Sequence, residues 1–251
     1  MSTLSDHLQH EKTLRGGRLT EGVVRIGDTV RRPSTANSDF VARLLHHLHA
    51  VGFGGAPEYL GQDERGRDML RYLPGWVPAR FQHFTDDTVA AAGRLLRAFH
   101  DATRGSALVS GTSVVCHHDA GPNNVVFQNG CPVAFIDFDM AAPGPALDDV
   151  GYMGWTWCVS CKPARGPASL QARQVRILAD AYGLQRDERD GVFDAMLARQ
   201  RRNIQFWHER LEGNCAGLAA LEAQIIDRIE WSKRELQYTE SYRLLFLEAL
   251  R

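Results

Sequence analysis

Cys116-His117-His118-Asp119-Ala120-Gly121-Pro122-Asn123-Asn124-Val125-Val126-Phe127, with Val133-Ala134-Phe135-Ile136-Asp137 close behind, is the stretch on which the fold turns. Asp119 and Asn124 are separated by four residues in a loop broken by Gly121 and Pro122. Two short β-prone runs follow, Val125–Phe127 and Val133–Ile136, with the turn signal Gln128-Asn129-Gly130 between them. Pairing these runs as a hairpin puts Asn124 and Asp137 at the same end. A carboxylate and an amide oxygen then meet, a donor set that suits an oxygen-loving cation such as Mg²⁺. Asp119, on the loop beside them, could accept a proton from an attacking hydroxyl, which is what phosphoryl transfer asks of a protein. Alternatively, this is an ordinary Asx-rich loop in which Asp119 and Asn124 cap turns. His117, two residues before Asp119, and the hairpin-length spacing to Asp137 favour the chemical reading.

Working outward, the first third of the chain reads as short strands around one helix. Thr13–Gly17, Gly22–Ile26 and Thr29–Arg32 are separated by glycine turns, with Gly27-Asp28 a two-residue hairpin signal and Pro33 ending the third strand. Ser38–Val51 carries apolar residues at helical spacing and is followed by Gly52, where a C-terminal cap belongs. Tyr59–Leu60 and Met69–Leu73 flank a turn at Asp63–Gly66. Pro74-Gly75 marks a boundary that divides the chain into residues 1–73 and 74–251. Beyond it the pattern is mainly helical, over Asp87–Ala102, Arg165–Gly183, Arg186–Glu212 and Leu218–Arg251. The expected class is α+β: a small antiparallel sheet with one helix, then a mainly helical lobe.

Composition narrows the function classes. A chain of 251 residues with 44% hydrophobic residues can bury a substantial core, and a net charge of −1 gives no basic face for nucleic acid. The polar segment Met1–Lys12 lacks the apolar core of a secretory signal, and no run is apolar enough to span a membrane, so the chain reads as soluble and cytoplasmic. The five cysteines are odd in number and scattered. Cys158 and Cys161 lack a second ligand pair for zinc and read as structural thiols.

His117-His118-Asp119 through Asn124, followed by Ile136-Asp137-Phe138-Asp139 and Gly144-Pro145-Ala146-Leu147-Asp148-Asp149, resembles the catalytic and metal-binding segments of the aminoglycoside phosphotransferase and choline kinase group. These are small-molecule kinases with a bilobal, protein-kinase-like fold. The likeness covers most of the chain. Leu95–Asp101 resembles the helix before the catalytic loop. Arg71-Tyr72-Leu73-Pro74-Gly75 resembles the interlobe linker that holds adenine, and Gly16-Gly17 the loop over the phosphates. The resemblance implies Asp119 as catalytic base, Asn124 and Asp137 as Mg²⁺ ligands, His117 as a brace for the loop and Asp149 as a buried support. It implies ATP, with GTP as the other option, as phosphate donor. The acceptor would be a hydroxyl on a small molecule, either an aminoglycoside or other antibiotic or a metabolite as in choline kinase; the alternative is a kinase-like protein that binds nucleotide or ligand without phosphotransfer.

The sequence departs from the family pattern in three places. His118 stands where glycine is usual. The phosphate-contacting base of the third strand is Arg32 or Arg31, with Val30 placed to cover adenine in favour of Arg32. The helix that follows should supply an acid to pair with that base; Asp39 is near the expected place, with Phe40 or Val41 as the other candidates for it. The dozen residues from Asp137 to Asp149 leave little room for docking a peptide, which disfavours a protein kinase. For the acceptor pocket, Tyr152, Trp155, Trp157, Asp180, Trp207, His208, Glu209 and Glu212 are candidates, although aromatic residues at helical spacing are usually core.

Overall fold

The computed structural model describes residues 11–14, 22–79, 82–109, 111, 113–214 and 219–251. Strands β1 (Lys12–Thr13), β2 (Val24–Ile26), β3 (Thr29–Arg32), β4 (Tyr59–Gln62) and β5 (Asp68–Arg71) form one antiparallel sheet in the order β1-β2-β3-β5-β4. The β2–β3 hairpin closes through Gly27-Asp28, with Ile26 opposite Thr29 and Gly27 at φ 56°, a left-handed conformation that glycine adopts without penalty. Helix α1 (Ser38–Ala50) buries Val41, Leu44, Leu45 and Leu48. Carbonyls of its last turn are satisfied by the Val51 and Gly52 amides, which donate to the His47 and His49 carbonyls.

The remainder is helical around two small β elements. Helix α2 (Asp86–Thr103) is capped by the Thr85 side chain, which accepts from the Thr88 amide. Strand β6 (Val114–Cys116) pairs with β9 (Ala142–Gly144), and β7 (Val125–Gln128) with β8 (Cys131–Phe135). The β7–β8 turn has Asn129 at φ 50° and Gly130 at φ 81°, the two positive angles that a tight hairpin of this kind demands. Helices α3 (Ala146–Met153), α4 (Ala168–Tyr182), α5 (Arg186–Asn214), α6 (Ala219–Ser241) and α7 (Arg243–Leu250) complete the chain. One helix was expected from Leu218 to the end; the chain instead breaks at Tyr242, where φ is −105°, and α7 turns to bury Phe246 and Leu250 against α4 and α5. No helix among the described residues is long and apolar enough to cross a membrane.

The core runs unbroken from α1 to α7. Its centre is an aromatic cluster that also fixes the chemical loop. The His117 ring lies 4.6 Å from Phe138 and 5.4 Å from Phe135, and Phe99 of α2 packs on all three. Helix α3 approaches α5 so closely at Gly151 that a Cβ there would stand 2.6 Å from the Ala195 carbonyl carbon and 2.8 Å from the Met196 nitrogen. Backbone cannot yield as a flexible side chain would. Gly151→Ala is therefore expected to cost about 2 kcal/mol of stability, read from urea unfolding; an unchanged midpoint would show that the two helices can separate.

Candidate active site

Asp149, near the start of α3, organises the loop between β6 and β7. It is fully buried, and its oxygens accept from the backbone amides of His117 (2.6 Å) and His118 (2.8 Å). The Nε2 of His100 lies 3.1 Å from the same carboxylate, and its Nδ1 lies 2.8 Å from the Tyr182 hydroxyl. Burial pushes the Asp149 carboxyl up, yet the His100 hydrogen bond and the neighbouring imidazoles outweigh it, and the group is held down at about 2. His100, Cys116 and Asp149 present their polar atoms within 4.8 Å of one another. Those of Asp149 are already engaged by donors and the Cys116 thiol is pushed upward by burial, so the cluster is a structural one. His118 sits at φ 58°. The left-handed backbone here explains why glycine is the expected residue, and histidine carries a modest strain in its place.

A short 3₁₀ turn, Pro122–Asn124, then aims two side chains. The Asn124 Nδ2 donates to Asp119 Oδ2 (2.7 Å) and to the Asp119 carbonyl (2.9 Å). Val125 pairs with Phe135, and the Ile136 amide donates to the Asn124 carbonyl (2.9 Å), so Asn124 and Asp137 stand at one end of the hairpin. Asp137 holds φ 65°, a second left-handed residue of the site.

Above this end opens a cavity of about 380 Å³ between the sheet and the helical part. Val30, Leu70, Val126 and Ile136 give it apolar walls, while Arg32, Asp68, Asn124, Asp137 and Asp139 supply its polar end. Arg32 is buried within it, 3.5 Å from Asp137 Oδ1 and hydrogen-bonded to Asp139. Arg31 turns to the other face of β3, 3.6 Å from Asp63, as strand alternation requires. Tyr72 lines the cavity with its amide donated to the Asp28 carbonyl (2.8 Å), and the Arg25 guanidinium covers its ring at 3.6 Å. Gly17 lies outside the described residues.

The expected helix acid is not where it was sought. Asp39 is exposed, and at the start of α1 the residues that face inward are Ser38 and Val41. Ser38 donates to Asp68 on β5 (2.6 Å), directly across from Arg32 in register. The partner of Arg32 is Asp139, two residues beyond Asp137, and Asn37 anchors α1 to the same segment by donating to the carbonyls of Asp139 (2.9 Å) and Ala141 (3.0 Å). Asp-x-Asp at positions 137 and 139 was visible in the sequence, but nothing local said which carboxylate would meet the arginine.

Asp119 is half-buried beside the cavity, and the Tyr152 hydroxyl donates to its Oδ1. The Arg199 guanidinium covers the Tyr152 ring at 4.6 Å and donates to the His118 carbonyl (2.8 Å). Of the other acceptor-side candidates, Trp155 packs edge-on to Tyr152 at 6.1 Å and stacks on Trp231 at 5.9 Å. Trp157 is fully buried and donates to the Ala120 carbonyl (2.9 Å), so it is core. Asp180 pairs with Arg176 and Arg189 on α4 and α5. Glu209 accepts from Gln205 within α5, and Glu212 is exposed. Arg199 and the buried Glu235 were missed; both are single charges in long helices, and no periodicity separates them from solvated neighbours.

The donor set fits a hard divalent cation. Asn124 and Asp137 offer oxygen alone, and burial raises the Asp137 carboxyl despite Arg32, with Asp139 and Asp119 adding to the excess of negative charge. Three carboxylates beside one arginine leave charge for a cation to balance.

A small antiparallel sheet over a helical lobe, with this loop and cavity between them, defines a protein-kinase-like phosphotransferase fold. The chain belongs to the phosphotransferase enzyme family APH, whose model it matches over residues 25–191. A trifolitoxin immunity protein from Rhizobium leguminosarum bv. trifolii is 34% identical over 207 residues, which are 72% of this chain and 77% of that protein. The crystal structure of a choline/ethanolamine kinase family protein from Mesorhizobium loti superposes with a TM-score of 0.63 at 20% identity, over 98% of this chain and 94% of the other. ADP-bound aminoglycoside phosphotransferase APH(2'')-Ib superposes with a TM-score of 0.56 at 12% identity, over 95% and 94% of the two chains. At these identities the two crystal structures speak for the fold, and the family supports a small-molecule phosphotransferase.

Proposed function

We propose that this protein transfers the γ-phosphate of ATP to a hydroxyl of a small molecule, and that it does so to disarm a toxin or antibiotic. The observation that carries the reading is the gathering of Asp119, Asn124 and Asp137 at one end of the β7–β8 hairpin, with Arg32 on the opposite wall. In this reading Asp119 takes the proton of the attacking hydroxyl, and Arg32 neutralises charge on the phosphates. Asn124 and Asp137 would hold Mg²⁺, which supplies charge neutralisation on the transferring phosphoryl group. Val30 and Tyr72 border the adenine end. GTP as an alternative donor is read out in the same assay. Immunity, named for the Rhizobium relative, motivates the toxin as acceptor.

The cations over the rings of the helical part bear on the acceptor. Arg199 covers Tyr152, Lys162 lies 5.9 Å over Trp231, and Arg228 lies 4.4 Å over Trp207. Each of these ring faces already carries a cation of the chain. The buried Glu235 is already engaged, accepting from Trp155, Ser160 and Cys161. A polycation such as an aminoglycoside would meet like charge here, so a neutral or anionic hydroxylated acceptor fits better.

ADP release with a panel of antibiotics and hydroxylated metabolites tests the proposal. Asp119→Ala is expected to reduce acceptor-dependent turnover by about 10²–10⁴-fold while ATP still raises the melting temperature. If no acceptor stimulates ADP release, and Asp119→Ala handles nucleotide as the wild type does, transfer is refuted. ATP and Mg²⁺ stabilisation without any phosphorylated product would instead identify a nucleotide-binding protein, the reading that the missing α1 acid favours.

A further inference from the structure

We infer that Tyr152 is a positioning residue that covers Asp119 when no acceptor is bound and so keeps ATP from being spent on water; this rests on the reading of Asp119 as the base. Tyr152 belongs to α3, is 3% exposed, and donates its hydroxyl to Asp119 Oδ1, while Asn124 holds Oδ2 from the other side. The base is therefore gripped at both oxygens. The phenol packs over Gly121, where a Cβ would meet the Tyr152 hydroxyl oxygen at an ordinary contact distance of 3.5 Å.

The ring is held as firmly as its hydroxyl. Arg199 covers one face at 4.6 Å and ties itself to the His118 carbonyl, one residue from Asp119. Trp155 meets the ring edge-on, and its indole N–H is fixed on Glu235 (3.2 Å). A phenol clamped in this way presents an O–H to the carboxylate as an acceptor alcohol would, but it cannot advance on a phosphate. It occupies the place without reacting.

Were water to take that position, its oxygen would bond to the γ-phosphorus as the bond to the β,γ-bridging oxygen broke. ADP would leave with the electron pair, and the water proton would pass to Asp119, giving ADP and inorganic phosphate. The Tyr152 hydroxyl competes with water for Oδ1. An acceptor that binds elsewhere along the pocket brings the binding energy to displace this contact, which a lone water lacks.

Tyr152→Phe keeps the ring and removes the hydroxyl, so a space-filling role predicts no change. With Mg²⁺ and ATP and no acceptor, this variant is expected to raise the rate constant of ADP release about tenfold with KM for ATP unchanged. Adding Asp119→Asn should return the rate to the wild-type level or below. Arg199→Leu, which loosens the ring, should give a smaller rise. In the nucleotide-free protein, carbodiimide labelling of Asp119, read by peptide mass spectrometry, should increase in Tyr152→Phe. Unchanged or slower hydrolysis in Tyr152→Phe, or no gain in labelling, while ATP still stabilises the protein, overturns the role of Tyr152 alone. Failure of Mg²⁺ and ATP to stabilise the wild type overturns the phosphotransferase reading, and this inference with it.

Discussion

Asp149→Ala is expected to destabilise the fold by about 3–5 kcal/mol, because it strips three donors, two of them fully buried, of their acceptor at once. The amides of His117 and His118 and the Nε2 of His100 all converge on this carboxylate. Asp149 and His100 are fully buried, so bulk solvent does not reach this cluster. For a domain of this size that loss lowers the melting temperature by roughly 10 °C. Asp149→Asn leaves one acceptor oxygen and should fall between. The acid limb of stability adds a second readout. The folded Asp149 is held at about 2, below its ordinary 3.8. A carboxyl depressed by folding contributes stability that is present above its unfolded value and lost as pH falls through the folded one. Between about pH 4 and pH 2 the wild type should therefore lose on the order of 2 kcal/mol from this group, and Asp149→Asn should lack that component. An unchanged melting temperature in Asp149→Ala would mean that the loop is held by the His117 aromatic cluster instead.

The parts of this fold that the sequence disclosed are those whose cause is local. Gly27-Asp28 and Asn129-Gly130 sit in turns that only a few residue types tolerate, so the hairpins on either side follow from them. The hairpin in turn sets Asn124 beside Asp137, because antiparallel pairing from Gln128 opposite Cys131 back to Val125 opposite Phe135 returns the chain to its starting end. What stayed hidden depends on long-range docking. Arg32 meets Asp139 across 107 residues of chain, and Tyr152 meets Asp119 across 33. The acid expected from α1 failed for a rotational reason: the helix turns Ser38 and Val41 inward, which leaves Asp39 on the outer face. The break at Tyr242 carries no glycine or proline, so nothing in the sequence punctuates it. It follows from burying Phe246 and Leu250, a packing choice invisible to residue spacing.

Asp137→Asn should separate function from stability. In the proposed chemistry Asp137 is a Mg²⁺ ligand and faces Arg32 at 3.5 Å, so loss of its charge is expected to reduce transfer on the order of 10³-fold. The fold has no matching need for it. Burial raises its carboxyl, with Asp139 and Asp119 acting in the same direction, so the charged form is held at a cost when folded. An acid raised by folding subtracts stability above its unfolded value, and its neutral isostere removes that penalty. Asparagine also tolerates the left-handed backbone at φ 65°. The variant should melt at or above the wild-type temperature without nucleotide, and should lose most of the stabilisation that Mg²⁺ with ATP confers. Asp139→Asn is the control: it releases Arg32 from its partner, so it should weaken ATP binding while retaining a larger share of the maximal rate. If Asp137→Asn unfolds early and still transfers phosphate, then Asp137 is a prop for Arg32, and the cation must be sought on Asp139. If it stays folded and fails to transfer, then the strained, charge-crowded turn after β8 is the place where stability is given up for chemistry.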